Sequence, residues 1–336
     1  MHSHPGAAAR SARRATSIVP SAFRLLAVAA LASAGSAHAS CGSAFCSINT
    51  DWTSEATGLV EGSVFDLRYE HIRQDQPRAG SRRVAVGEIR HHHDEVSTLN
   101  RNLIGTFSHN FGAGWGVSVS APLVDRDHLH IHHHGGGDVP ERWNFRELGD
   151  LRITGRYQQA LPGSDEAPRA GGLVLGLKLP TGRTNVANAD GDVAERSLQP
   201  GTGTTDLILG AVFHQQLPAS GASWFAQVQW QRALNSHDDF RPGAQLAADI
   251  GYAHPLGDKV DGIVQLNLLA KRRDRGTEAE PEDSGGHSVF LSPGLSYQLG
   301  ESLRVYGFVQ QPLYQYVNGV QLTAKRAFVV GVSTRF

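Results

Sequence analysis

From residue 62 to its last residue the chain repeats one pattern, ten to thirteen residues with apolar side chains at alternate positions followed by a break. Successive side chains of a β-strand point to opposite faces, so a period of two marks a strand with one apolar face. Twelve such segments can be drawn, near 62–72, 99–110, 115–125, 148–160, 170–180, 204–216, 222–233, 243–254, 260–271, 287–298, 303–314 and 324–336. A tilted strand of about 9–11 residues crosses a bilayer, so the lengths suit a membrane. The breaks after even-numbered segments are short (Phe111 to Gly114, Leu161 to Arg169, Leu217 to Gly221, Pro255 to Lys259, Leu299 to Ser302), whereas those after odd-numbered segments are mostly longer and more polar. Outer-membrane barrels have short periplasmic turns and long extracellular loops, and an even strand count returns both ends of the chain to the periplasm. The expectation is an all-β, antiparallel up-and-down barrel of about twelve strands over residues 62–336.

One face of each segment suits lipid: Trp115, Val117, Val119, Ala121 and Leu123, then Leu173, Leu175, Leu177 and Leu179, then Trp224, Ala226, Val228 and Trp230. The other face is polar, and its charged members Asp66, Arg68, Glu70, Arg152, Arg156, Lys178, Asp206, Asp249 and Arg304 are the candidate lumen-lining residues, with Gln227, Gln229, Asp261, Gln265 and Asn267 among them. Two arrangements follow for these charges: they line a narrow water path, or they pair across the interior and plug it. A soluble sandwich would show the same alternation with its apolar face inside. Strand length, loop asymmetry and the two ends of the chain favour the barrel. No mature run of 18 apolar residues occurs, so a helical membrane span is excluded.

Residues 1–39 form a separate unit. Arg10, Arg13, Arg14 and Arg24 precede the apolar stretch Leu25 to Ala32, small residues follow, and no Asp or Glu occurs before Asp51. This is the layout of a secretory signal, with cleavage after Ala39. Residues 40–61 then form a periplasmic segment ahead of the barrel. Without the leader's four Arg, 27 Lys and Arg face 32 Asp and Glu, and no basic patch for nucleic acid survives. Cys41 and Cys46 read as a small disulfide ring in the oxidising periplasm, or alternatively as a copper or zinc site. The preceding His38-Ala39-Ser40 lacks the Leu of a lipobox.

The chain ends in the alternation Phe328, Val330, Val332, Thr334, Phe336, a terminal aromatic residue of the kind that signals outer-membrane insertion. Phe328 and Phe336 are the expected assembly signal, with the barrel assembly machinery and outer-membrane lipid as partners. The segments Gly149-Asp150-Leu151-Arg152-Ile153 through Tyr157-Gln158, Leu177-Lys178-Leu179-Pro180-Thr181-Gly182, Gly201-Thr202-Gly203 and Tyr306-Gly307-Phe308-Val309-Gln310 to Tyr316-Val317-Asn318-Gly319 resemble a family of outer-membrane transporters named for the meta pathway of phenol degradation. The resemblance spans most of 149–336. It implies an outer-membrane barrel and a transport role, and its motifs say little about the solute. Tyr306 and Phe308 belong either to the lumen, against an apolar or aromatic solute, or to the membrane interface.

The first half departs from that family in its histidines. His91, His92 and His93 precede Asp94 in one long break, and His128, His130, His132, His133 and His134 fill the next. Imidazole is the commonest side-chain metal ligand and suits zinc, copper or nickel. In Asp127-His128-Leu129-His130-Ile131-His132 a continuing strand would set three imidazoles on one side. Matching lipid faces across the turn at Phe111 to Gly114 pairs Phe107 with Val119 and Leu103 with Leu123, and sets Arg101 opposite Asp125. Further up, the same register brings Asp94 opposite His132 and His92 opposite His134. The alternative is a hydrophilic loop rich in His. No cofactor is required by the barrel itself, and a divalent metal at these loops is the one expectation.

An enzyme is not expected. Outer-membrane lipases carry His-x-Ser on one strand face, and no mature His has Ser two residues on. The expected function is a channel or transporter for a small molecule or ion, hydrophobic or metal-linked, and the alternative is a non-conducting structural or metal-binding barrel.

Overall fold

The computed structural model describes residues 48–50, 61–89, 94–134, 137–162 and 167–336, with backbone alone at 133, 134, 137 and 138. The leader 1–39, the Cys41 and Cys46 pair and His91 to His93 lie outside the described residues, as do the side chains of His133 and His134. Every regular element described is a strand: β1 (Gly62–Gly80), β2 (Arg82–Arg83), β3 (Asp94–Gly112), β4 (Trp115–His134), β5 (Gly137–Leu148), β6 (Leu151–Ala160), β7 (Arg169–Leu179), β8 (Asp206–Leu217), β9 (Ala222–Ala233), β10 (Gln245–Pro255), β11 (Val260–Lys271), β12 (Gly286–Gln298) and β13 (Leu303–Arg335).

Each pairing is antiparallel, between sequence neighbours except that β1 also pairs β3 past β2 and β4 pairs β6 past β5, and β13 closes the ring by pairing with β1 from Val64↔Arg335 to Gly80↔Val317. Two short additions leave eleven strands in the wall: β2 only folds back on β1, and β5 pairs with β4 alone. β13 bends back on itself. Its residues 304–317 pair with β12 and 317–335 with β1, and Arg326 Nε donates to Gln311 Oε1 between the two arms. The reversal falls at Asn318-Gly319, where Gly319 has φ +58° and a Cβ would lie 2.0 Å from Asp283 Oδ1. The eleven strands therefore make twelve crossings, the number the alternation predicts.

The five short turns occur where expected. At the first, Ala113 and Gly114 both take positive φ, and a Cβ on Gly114 would sit 1.9 Å from the carbonyl oxygen of Gln158 in the adjoining strand. Two expected loops are strand instead. The stretch 126–147 is a hairpin of β4 and β5 that continues above the membrane, and the break expected at 315–323 is the tight turn within β13. In both cases the outward side no longer has to be apolar, so the alternation that identifies a strand fades while its hydrogen bonding continues. On β4 the outward row changes from Leu123 to Asp125 and Asp127; Asp125 pairs with Arg101 (2.6 Å) and Arg146 (2.5 Å), and Asp127 with Arg142. This row of ion pairs marks where the lipid-facing band ends.

Burial is inverted relative to a soluble protein. Leu173, Leu175 and Leu295 are 68%, 61% and 57% exposed, while Glu70, Asn102 and Gln265 are 0% exposed. Apolar side chains outside and polar ones inside exclude the sandwich and require a surrounding bilayer. Near the short turns, aromatic pairs form a girdle: Trp115 with Tyr157 (4.7 Å between ring centres), Trp224 with Tyr252 (4.9 Å) and Phe107 with Phe336 (6.4 Å). Such belts sit at the membrane–water interface. Phe328 and Phe336 both face outward on this surface.

Candidate functional site

All nine charged residues expected in the lumen occupy inward positions, but few face open water. Glu70 meets Arg68 Nε at 3.2 Å and accepts from Asn102 at 3.3 Å; Asp66 accepts from the Tyr306 hydroxyl at 2.9 Å; Asp249 accepts from Asn267 at 2.7 Å; Arg304 meets Asp261 at 3.4 Å. Arg152 and Arg156 are half-buried against amides, donating to Gln229 Oε1 (2.9 Å) and Asn110 Oδ1 (3.1 Å). Both guanidiniums stand on the inward face of β6 and add fixed positive charge to the wall. Arg156→Glu is therefore expected to shift ion selectivity towards cations, since fixed charge in a pore decides which ions enter. A reversal potential measured under a salt gradient in planar bilayers checks this, and an unchanged value would place Arg156 off the ion path.

Residues 48–50 of the chain itself occupy part of this space. Ile48 packs with Phe225, Ala253, Ile263, Tyr306, Phe308 and Val329. Asn49 donates from its backbone to Gln265 Oε1 (3.1 Å) and receives Gln265 Nε2 on its carbonyl (2.8 Å), and Arg68 donates to Thr50 Oγ1 at 2.7 Å. Within the segment 40–61, the described residues 48–50 are thus held against the inner face of the barrel. Tyr306 and Phe308 do face the lumen, but their neighbour is Ile48. The physical reason is that they are large apolar groups on an otherwise polar wall, and the nearest apolar side chain able to cover them belongs to the same molecule.

Lys178 and Asp206 are not open pore residues either. Lys178 Nζ bonds Asp150 Oδ2 (2.6 Å), Thr202 Oγ1 (2.5 Å) and the carbonyl of Thr204 (2.8 Å), with Asp206 Oδ1 at 3.5 Å. Asp150 also accepts from the backbone of Gly182 and of Thr202, and Gly182 lies against Gly201 so closely that neither has room for a Cβ. Three separated motifs, at 149–150, 177–182 and 201–204, thus form one clamp at the base of the loop 180–205.

That loop reaches the hairpin of β4 and β5. Arg126 donates to the carbonyl of Leu198, Trp143 donates to that of Asp192, and Val186, Ala194 and Leu198 pack on Val124, Trp143 and Phe145. The inward row above Arg126 is His128, His130 and His132. His128 is fully buried, shares a hydrogen bond between Nδ1 and Thr98 Oγ1 (2.8 Å), and burial holds its pKa down at about 3, so it stays neutral. His130 Nε2 and His132 Nε2 lie 3.3 Å and 3.5 Å from Glu141 Oε2, and His130 Nδ1 lies 4.0 Å from Glu195 Oε1. Burial, followed by the charge of Asp283, pushes Glu195 up to about 8. The rings of His130 and Trp143 meet edge to face at 4.6 Å.

Between β12, both arms of β13 and β1 lies a cavity of about 170 Å³. Its lining combines inward residues such as Gln74, Gln310 and Phe290 with outward ones such as His287 and Tyr316. Pairing is irregular here, with register shifts at Val289/Phe290 and at Ile72/Gln74, and Pro312 opposite Phe290 has no N–H for the ladder.

A family model described as "Putative MetA-pathway of phenol degradation" matches residues 96–327. The chain belongs to this family. The match runs from β3 into the final crossing and includes the whole Asp150–Lys178–Thr202 clamp. Among solved structures, the COG4313 outer membrane channel from Pseudomonas putida F1 is similar over 82% of this chain and 96% of its own, at 12% identity and a TM-score of 0.61. A Pseudomonas aeruginosa FadL homologue aligns over 88% of this chain and 96% of its own, at 8% identity and a TM-score of 0.39. No curated protein matches the chain. The family and the closed barrel place the protein in the outer membrane.

For this family member the predicted hairpin register holds through the membrane, with Phe107↔Val119 and Leu103↔Leu123, and Arg101 bonds Asp125 as expected. Above it a register shift between Glu95 and Ser97 sets Asp94 opposite Ile131, not His132. Glu95 faces His130 in the ladder, yet its carboxylate accepts from the backbone of Leu322 at 3.2 Å. The carboxylate that meets the histidines is Glu141, which sequence reasoning missed. The alternation Trp143, Asn144, Phe145, Arg146 after Gly135 to Gly137 was the signal that could have found its strand.

Proposed function

We propose that this protein is an outer-membrane channel for small, largely apolar solutes of about one aromatic ring. The cavity at β12, β13 and β1 is the observation that carries this reading. An apolar cavity of about 150 Å³ accommodates benzene, and here Ile72, Phe290, Val317, Leu322 and Ala327 supply apolar walls while Gln74, Gln310 and Gln315 offer amides to a hydroxyl. The cavity is bounded by residues of both faces of the wall, which suits passage between the outer surface and the lumen. The family description names phenol degradation, and phenol has the size and the mixed polarity this lining would accept.

The test is uptake of labelled phenol into proteoliposomes by the native barrel and by Ala324→Trp, which fills the cavity from its edge. The expected result is protein-dependent uptake that the substitution greatly reduces, while heat-dependent migration on denaturing gels shows that the variant barrel is folded. Equal uptake by both proteins would remove the cavity from the route, and no uptake above empty liposomes would favour a structural barrel.

A further inference from the structure

We propose that His130, His132 and Glu141 form a binding site for one divalent transition-metal ion, of the class that prefers imidazole, at the outer rim of the barrel. The site is independent of the solute reading above. Its three ligand atoms come from the two strands of one hairpin: His130 and His132 stand on the inward row of β4, and Glu141 is directly opposite His130 on β5. All three ligand atoms lie within 4.8 Å of one another.

The spacing is close to what a metal requires. With metal–ligand bonds of about 2.0–2.1 Å, tetrahedral coordination sets ligand atoms about 3.3 Å apart. The two His–Glu separations are 3.3 Å and 3.5 Å, so two edges of the tetrahedron are already at this length. Only the edge between the two imidazoles has to close, and His132, with 21% of its side chain exposed, has room to turn towards the fully packed His130. Two imidazoles and one carboxylate suit zinc, copper or nickel, and they leave a fourth position for water.

The surroundings fit as well. A ligating histidine commonly points its second ring nitrogen at a carboxylate, which fixes the ring. His130 sets Nε2 3.3 Å from Glu141 and turns Nδ1 towards Glu195 of the loop 180–205, 4.0 Å away and beyond hydrogen-bond distance. Trp143 forms an apolar floor under the ring. A bound ion would therefore join β4 to β5.

The experiment is titration of zinc chloride into the folded, metal-stripped barrel in detergent, followed by calorimetry, with cobalt chloride as a spectroscopic probe. The variants are His132→Ala and Glu141→Gln, both at half-buried positions where folding is retained, and a control in which His91, His92, His93, His133 and His134 are all Ala. The expected result is one zinc per chain with a tetrahedral cobalt absorption band, kept in the control and weakened by at least about tenfold in each ligand variant, as even outer partners of a metal ligand bring such losses. Binding that disappears in the control and survives in His132→Ala and Glu141→Gln would overturn the site. No binding to the native barrel would reduce the cluster to hydrogen bonds between Glu141 and two rings.

Discussion

Deleting residues 40–50 from the exported chain is expected to raise single-channel conductance several-fold. The described part of that segment, residues 48–50, lies in the lumen and is held there by well-formed contacts. Burying the Ile48 side chain contributes about 1.5–3 kcal/mol, and the paired amide bonds between Asn49 and Gln265 contribute roughly 0.5–1.5 kcal/mol each. A segment fixed with several kcal/mol leaves the lumen only rarely, so the native protein is expected to conduct in small, steady steps. After deletion, Phe225, Tyr306 and Phe308 would border open space and Arg68 and Gln265 would face water. Ile48→Gly should give an intermediate result, with flickering between the two conductance levels, because it weakens the contact without removing the segment. Planar-bilayer recordings decide this: an unchanged conductance in the deletion variant would mean that the narrowest part of the path lies elsewhere.

Lys178→Met is expected to lower the temperature at which the detergent-folded barrel unfolds more than any other single lumen substitution. Lys178, Asp150 and Asp206 are all buried, and the ammonium is the cation nearest both carboxylates. Removing one partner of a buried pair costs about 3–5 kcal/mol because the remaining charge is left without compensation. The clamp also fixes the loop 180–205, so limited proteolysis should cut the variant within 183–204 where the native loop resists. Asp150→Asn in the Lys178→Met background should recover part of the loss, since it removes one of the stranded charges. Gel migration measured against temperature provides the readout, and an unfolding temperature equal to that of the native barrel would show that the cluster only orders the loop.

The membrane-spanning part was legible because lipid imposes a simple rule on sequence. Wherever a strand must be apolar outside and polar inside, alternation reports it, and β9 and β11 fall on the predicted 222–233 and 260–271. The same rule predicted the register of the β3–β4 hairpin up to Arg101 and Asp125, because one lipid face must be matched to the next. It stopped working above that ion pair. Beyond the lipid band neither side of a strand has to be apolar, so the β5 stretch read as part of a long break, and the shift near Val96 that moves Asp94 away from His132 left no trace in the pattern.

The sequence by itself therefore determined the barrel, its twelve crossings, its outward and inward faces and its alternating short and long connections, since each depends on local periodicity and on lipid as the solvent. Only the tertiary structure decided what fills and caps that barrel. Ile48 reaches Phe308 and Lys178 reaches Thr202, while Glu141 and Glu195 converge on His130. These contacts join residues far apart in the chain, or strands meeting where lipid no longer constrains the sequence, and they follow from closure of the barrel, which sets opposite walls within side-chain reach.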